Sequence, residues 1–197
     1  MEELAPEIEI ENHWHGTDPV RLVHLLEHTA GFDDWHLNEL AHNDPKPLPL
    51  KDSLELSPST RRVRWRPGTH FSYSNAGIPV LARIIEKVTG RTLEAQVKLD
   101  VFEPLGLNHS TFFLDEGLAE SLARGYVPGK EAPVEYWHLH QRPAGALNST
   151  LEEVTRLTQL FLGRGTLDGK LFLSPSTIQR METPTTSTPA KQGLAFG

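Results

Sequence analysis

Apolar positions along the chain recur mostly at helical spacing, and residues suited to start and stop helices stand beside them. Asp18-Pro19 offers a capping carboxylate and a first-turn proline, Leu22, Leu25 and Leu26 then share a face, and Gly31 is a stop. The strongest helix has Asn75 as its cap, with Ile78, Leu81, Ile85 and Val88 keeping the helical period up to Gly90. Thr92 caps a second helix, ended by Pro104 and Gly106, and Asp115 starts a short third one stopped by Gly125. Ser149-Thr150 starts another, with Glu152 and Glu153 at capping-box spacing and Leu151, Val154, Leu157 and Phe161 as its core face. Ser174-Pro175 caps the last, which finishes before Pro184.

Strand signals are few. They are a short stretch near Val134–His140, a turn at Leu167-Asp-Gly-Lys170, and alternating apolar residues between Gly193 and Gly197 that look like a strand beginning. That last feature makes the chain read as an excerpt of something longer. The region 38–69 is proline-rich with little periodicity, the pattern of a long functional loop. The pattern therefore predicts a mainly α chain with one hairpin and one terminal strand.

Composition narrows the function classes. Of 197 residues, 38% are hydrophobic and 23% charged, enough apolar material for a buried core. Lys and Arg number 19 against 26 Asp and Glu, a net charge of −7 that repels phosphate backbones and argues against nucleic-acid binding. The cluster Arg61-Arg-Val-Arg-Trp-Arg66 accordingly reads as arginine stems packed on Trp65 rather than an anion site. The absence of cysteine removes disulfides, thiolate metal sites and a cysteine nucleophile. The start has neither the basic nor the apolar region of a signal peptide, and no stretch approaches the roughly 20 apolar residues of a membrane span. The compartment stays unassigned, and no motif asks for a cofactor.

Two constellations carry candidate chemistry. His24-Leu-Leu-Glu-His28 is the inverted zinc-protease pattern, and His13/His15 and His138/His140 are also paired. Against a metal, the helix is short, no third ligand is clear, and both histidines can be satisfied locally. The second constellation is Pro67-Gly-Thr-His-Phe-Ser-Tyr-Ser-Asn75, immediately before the strongest helix. A turn feeding a helix start would hold the Tyr73 hydroxyl and the Asn75 amide on one side. A phenol beside a cation can act as a base, and an amide offers both a donor and an acceptor. The plain alternative is a buried tyrosine and a helix-capping asparagine.

Several ordered segments resemble the serine β-lactamase-related family of class C β-lactamases, DD-peptidases and allied esterases. His24-Leu-Leu-Glu-His-Thr-Ala-Gly31 is similar to the family's Leu-Leu-x-His-Thr-Ser/Ala-Gly segment, and Pro67–Asn75 to its Tyr-x-Asn box. Ile84-Ile-Glu-Lys-Val-Thr-Gly90, Phe102-Glu-Pro-Leu-Gly-Leu107 and Ala144-Gly-Ala-Leu-Asn-Ser149 follow in the family's order. The similarity runs from about Leu4 to the last residue. It implies a single partial domain over residues 1–197: the helical domain of a penicillin-binding-protein-like α+β fold, with most of its flanking antiparallel sheet missing. It also implies that the His-x-x-Glu-His segment binds no metal.

The implied chemistry is acyl-enzyme hydrolysis of an amide or ester in a small molecule or peptide, by a serine in Ser-x-x-Lys. Tyr73 would move protons between that serine, its lysine and the leaving group. Asn75 would hold the lysine and the substrate amide. His28, Trp35 and His36 would border the cleft. No Ser-x-x-Lys occurs in the chain, and Lys191-Gln-Gly193 only mimics the family's Lys/His-x-Gly motif. The chain is therefore expected to be inactive as it stands, with an exposed sheet-facing apolar surface favouring self-association. A non-catalytic binding module and a zinc hydrolase are the competing readings.

Overall fold

The computed structural model describes residues 4–44, 46–114 and 116–186. In chain order the α-helices are α1 (Leu22–Leu26), α2 (Leu37–Leu40), α3 (Leu50–Leu54), α4 (Gly77–Thr89), α5 (Leu93–Val97), α6 (Glu103–Leu105), α7 (Glu116–Ala119), α8 (Leu151–Leu162) and α9 (Pro175–Glu182). Among the described residues there are two antiparallel ladders, β1 (Ala41–His42) with β2 (His138–Leu139) and β3 (Thr166–Leu167) with β4 (Lys170–Leu171). Helix outweighs strand among these residues, as the pattern predicts. Asp115 and the segment Gly193–Gly197 lie outside them.

Helix starts with hydroxyl caps fall where the sequence puts them. Thr92 Oγ1 accepts the Ala95 N–H, Thr150 Oγ1 accepts the Glu153 N–H, and Ser174 Oγ accepts the Thr177 N–H. The expected hairpin turn is also present. Asp168 and Gly169 both have positive φ, 50° and 76°, as a tight two-residue connection requires. Pro104 does not end the second helix. A π-helical turn over Lys98–Phe102 carries the chain into α6, and Gly106 at φ 69° ends it.

Expectations for three helices are corrected. Helix α1 begins after Arg21, not at Asp18, whose carboxylate instead accepts from the Thr17 hydroxyl. It stops at Leu26 rather than Gly31, because His28 turns left-handed at φ 52°. The Thr29 N–H then bonds back to the His24 carbonyl (2.8 Å), and the His28 N–H to that of Leu25 (3.4 Å), a Schellman closure. Asn75 does not cap α4, whose buried side is Val80 and Ile84; Ile85 and Val88 are exposed. On α8 the buried residues are Glu153 and Leu160, while Leu151 and Val154 face outward.

The proline-rich stretch 38–69 contains part of α2, β1, α3 and a 3-10 turn at Pro58–Arg61. Its apolar residues Leu54 and Val63 join the main core with Leu25, Phe32, Val80 and Ile84. A second core gathers Phe102, Leu105, Leu107, Leu160 and Leu167.

The site is positioned by an extended segment after α1. The Asp33 N–H donates to the Thr60 carbonyl, Arg64 N–H to Gly31, Gly68 N–H to Thr29 and Ser72 N–H to His28, all at 2.8–3.0 Å. Residues 28–33 are thus laced on both sides, to 60–64 and to 68–72. Gly31 is needed there: its φ is +82°, and a Cβ would sit 3.0 Å from the Trp65 carbonyl oxygen.

Candidate active site

Tyr73 and Asn75 do stand together at the head of α4. The Tyr73 hydroxyl donates to Asn75 Oδ1 at 3.0 Å, and the tyrosine is 57% exposed. The tyrosine is therefore not the buried residue of the plain alternative. Asn75 is held from its other end by Asp34. Asn75 Nδ2 lies 3.3 Å from Asp34 Oδ1 and 3.0 Å from Oδ2, and the Asn75 backbone N–H donates to Oδ1 at 3.0 Å. The same oxygen accepts the Trp35 N–H at 2.9 Å. Asp34 is the site residue that the sequence reading missed. Its signal was available: an acidic pair, Asp33-Asp34, interrupting an apolar segment after Gly31.

His28 supports the array from below. Its ring lies 4.5 Å from that of Tyr73, tilted by 35°, and meets Phe71 edge-on at 6.1 Å. Its Nδ1 accepts the Ser74 N–H at 3.3 Å, which assigns the proton of the neutral ring to Nε2. Burial holds the His28 pKa below the ordinary histidine value, and the Asp34 charge partly opposes this. Ser74 locks the turn by donating to the Asp33 carbonyl (2.7 Å) and accepting the Ala76 N–H (3.2 Å).

Trp35 packs on the main core, and its Nε1 is buried with no acceptor among the described residues. His36 points its interactions elsewhere: its N–H donates to Glu39 Oε2 (3.0 Å) and its ring pairs with the same oxygen (3.3 Å). The structure therefore groups His28, Asp34, Tyr73 and Asn75, brings Trp35 in through its backbone, and engages His36 with α2.

The arginine cluster is fully employed. The Arg64 guanidinium donates to the Phe32 carbonyl (2.6 Å) and Ser72 Oγ (2.9 Å) and lies 4.5 Å over the Trp65 ring. Arg61 is buried on the carbonyls of Glu9 and Leu54, Arg62 pairs with Glu11, and Arg66 with Asp18.

The zinc reading fails on geometry. His24 Nδ1 accepts the Arg21 N–H, and His28 lies past the helix end on Ser74. Glu27 is fully buried and accepts the N–H and hydroxyl of both Thr185 and Thr186 at 2.7–3.0 Å. It has no lone pair free to act as a base on a metal-bound water. No convergent group of three metal-ligating side chains exists among the described residues.

The β-lactamase family model matches residues 3–197, and the chain belongs to that family. A curated sequence from Salmonella paratyphi B named "Putative D-alanyl-D-alanine carboxypeptidase" is 29% identical over 122 residues, 61% of this chain and 26% of that one. Among solved structures, a β-lactamase/D-alanine carboxypeptidase from Pseudomonas syringae superposes with a TM-score of 0.68 at 20% identity. It covers 92% of this chain and 47% of its own. A penicillin-binding protein from Bacillus halodurans gives 0.64 at 23% identity, over 98% of this chain and 62% of its own. At these identities the solved structures establish the fold. The chain spans about a quarter of the curated relative's length.

Proposed function

We propose that this chain is the part of a serine acyl hydrolase that carries its proton-handling and amide-binding side chains, Tyr73 and Asn75. His28, Trp35 and His36 lie along the border of its cleft. The substrate is an amide or ester of a small molecule or peptide. The observation that carries this reading is the oriented, solvent-reachable Tyr73 hydroxyl, fixed 3.0 Å from Asn75 Oδ1 at the head of α4. The family match and the carboxypeptidase name of the curated relative support the same class of reaction.

In such a reaction a serine oxygen bonds to the carbonyl carbon, the leaving group departs with a proton, and water then releases the acyl group. A positioned phenol is suited to passing those protons. The nucleophile is not among these 197 residues, since none of their serines has lysine three positions on. The chain by itself is therefore inactive. Incubating it with a fluorescent penicillin and a fluorophosphonate is expected to leave every serine unlabelled. Stoichiometric labelling of any one of them overturns the reading.

Apolar side chains left on the surface, among them Val88 on α4 and Leu151 and Leu162 on α8, support self-association of the isolated chain. Sedimentation velocity over a concentration series checks this, and a monomer at every concentration ends it.

A further inference from the structure

Asp34 is the group in the site whose hydrogen-bonding sense cannot be adjusted. An ionised carboxylate only accepts, whereas a side-chain amide can present either its donor or its acceptor end. Asp34 receives the Trp35 and Asn75 backbone N–H groups and faces Asn75 Nδ2 through both of its oxygens. Turning the Asn75 amide over would set Oδ1 against the carboxylate, lone pair against lone pair. The carboxylate thereby selects one orientation, with Nδ2 toward Asp34 and Oδ1 toward Tyr73. Oδ1 carries no hydrogen, so the Tyr73 hydroxyl 3.0 Å away has to donate.

We propose that Asp34 is a positioning residue that sets the sense of the Asp34–Asn75–Tyr73 chain, so that Tyr73 turns its oxygen lone pairs, and not its proton, to the cleft. The chemical consequence rests on the proposed function above; the orientation itself does not. Tyr73 is then poised to accept a hydrogen bond from an approaching hydroxyl or ammonium. Asn75 keeps one lone pair on Oδ1, while its Nδ2 is turned to Asp34. Oδ1 takes up an N–H donor, an ammonium or an amide N–H, and the second N–H of Nδ2, which diverges from the one that faces the carboxylate, is left for a carbonyl oxygen. The amide thus still offers both a donor and an acceptor, in an orientation that Asp34 sets.

Proton–proton contacts in an NMR spectrum of the full chain test the orientation without any substrate. In the wild-type protein the Asn75 side-chain amide protons are expected to show contacts to the Trp35 backbone N–H and none to the Tyr73 ring. In Asp34→Asn, residue 34 can donate as well as accept, so the amide is no longer held one way. Contacts from the Asn75 amide to the Tyr73 ring then appear, and His28 titrates at lower pH than in the wild type. Tyr73 contacts in the wild-type spectrum overturn the proposal even if the variant fails to fold. So does an Asp34→Asn spectrum that keeps the wild-type contacts. Neither result depends on acylation, so this proposal and the reading of the site as part of an acyl hydrolase fail separately.

Discussion

His28 occupies a backbone position that usually belongs to glycine. Its φ of 52° closes α1, and its ring is spent on Tyr73 and Ser74. A side chain in this region costs about 1 kcal/mol relative to glycine, so the ring is retained at the expense of backbone ease. Replacing His28 by Ala and by Gly removes the same ring. The Ala variant is expected to be less stable than the Gly variant by about 1 kcal/mol in urea unfolding. Equal stabilities would show that the turn is not strained. Its neighbour Glu27 is fully buried on Thr185 and Thr186. Glu27→Gln turns one acceptor into a donor facing donors, and is expected to cost about 1.5–3 kcal/mol in the same measurement. At this scale Tyr73 and Asn75 were legible because they are two residues apart in one turn. Asp34 stood out only as half of an acidic pair; its bond to Asn75 spans 41 positions, so no local spacing ties it to the site.

At the scale of elements, the caps of α5, α8 and α9 were legible because a hydroxyl and its target N–H are three residues apart in sequence. The inward faces of α4 and α8 were not. Both helices carry apolar residues around more than one face, and a period tells that a helix is amphipathic, not which tertiary surface claims it. In α4 the core takes Val80 and Ile84 and leaves Val88 69% exposed. Ile84→Ala, at a position 5% exposed, is expected to cost about 2–5 kcal/mol. Val88→Ala should stay within about 0.5 kcal/mol. Reversed magnitudes would mean that the face expected from the sequence is the buried one after all.

The whole molecule combines groups that respond to acid in one direction. His24, His28, His138 and His140 all have pKa values lowered from 6.5, first by burial. His42 adds to this for the last pair, stacking on His140 at 4.2 Å and standing 5.8 Å from His138, while Asp44 opposes it at His138. On acidification the unfolded chain takes up these protons first, so stability is complete above pH 6.5 and falls below it. Glu7, Glu27, Glu39 and Glu153 have lowered values as well. For Glu27 and Glu153 burial works against the hydrogen bonds they accept, and the bonds prevail. Their contribution is present above pH 4.5 and is lost as pH falls through their folded-state values. Melting temperatures across this range should therefore fall in two stages. A melting temperature that rises as pH drops below 6.5 would refute the histidine part.

The bonds from Glu27 to Thr185 and Thr186 also order events in time. They join positions 158 and 159 apart, so they can form only after the whole intervening stretch has emerged from the ribosome. The turn at His28 can close on residues 72–74 much earlier. Until residues 185–186 arrive, Glu27 must keep its water, and the α1 end of the core cannot seal around it. Closing so long a loop carries an entropic delay. The Tyr73 array should thus form in a nascent chain well before its underside becomes dry.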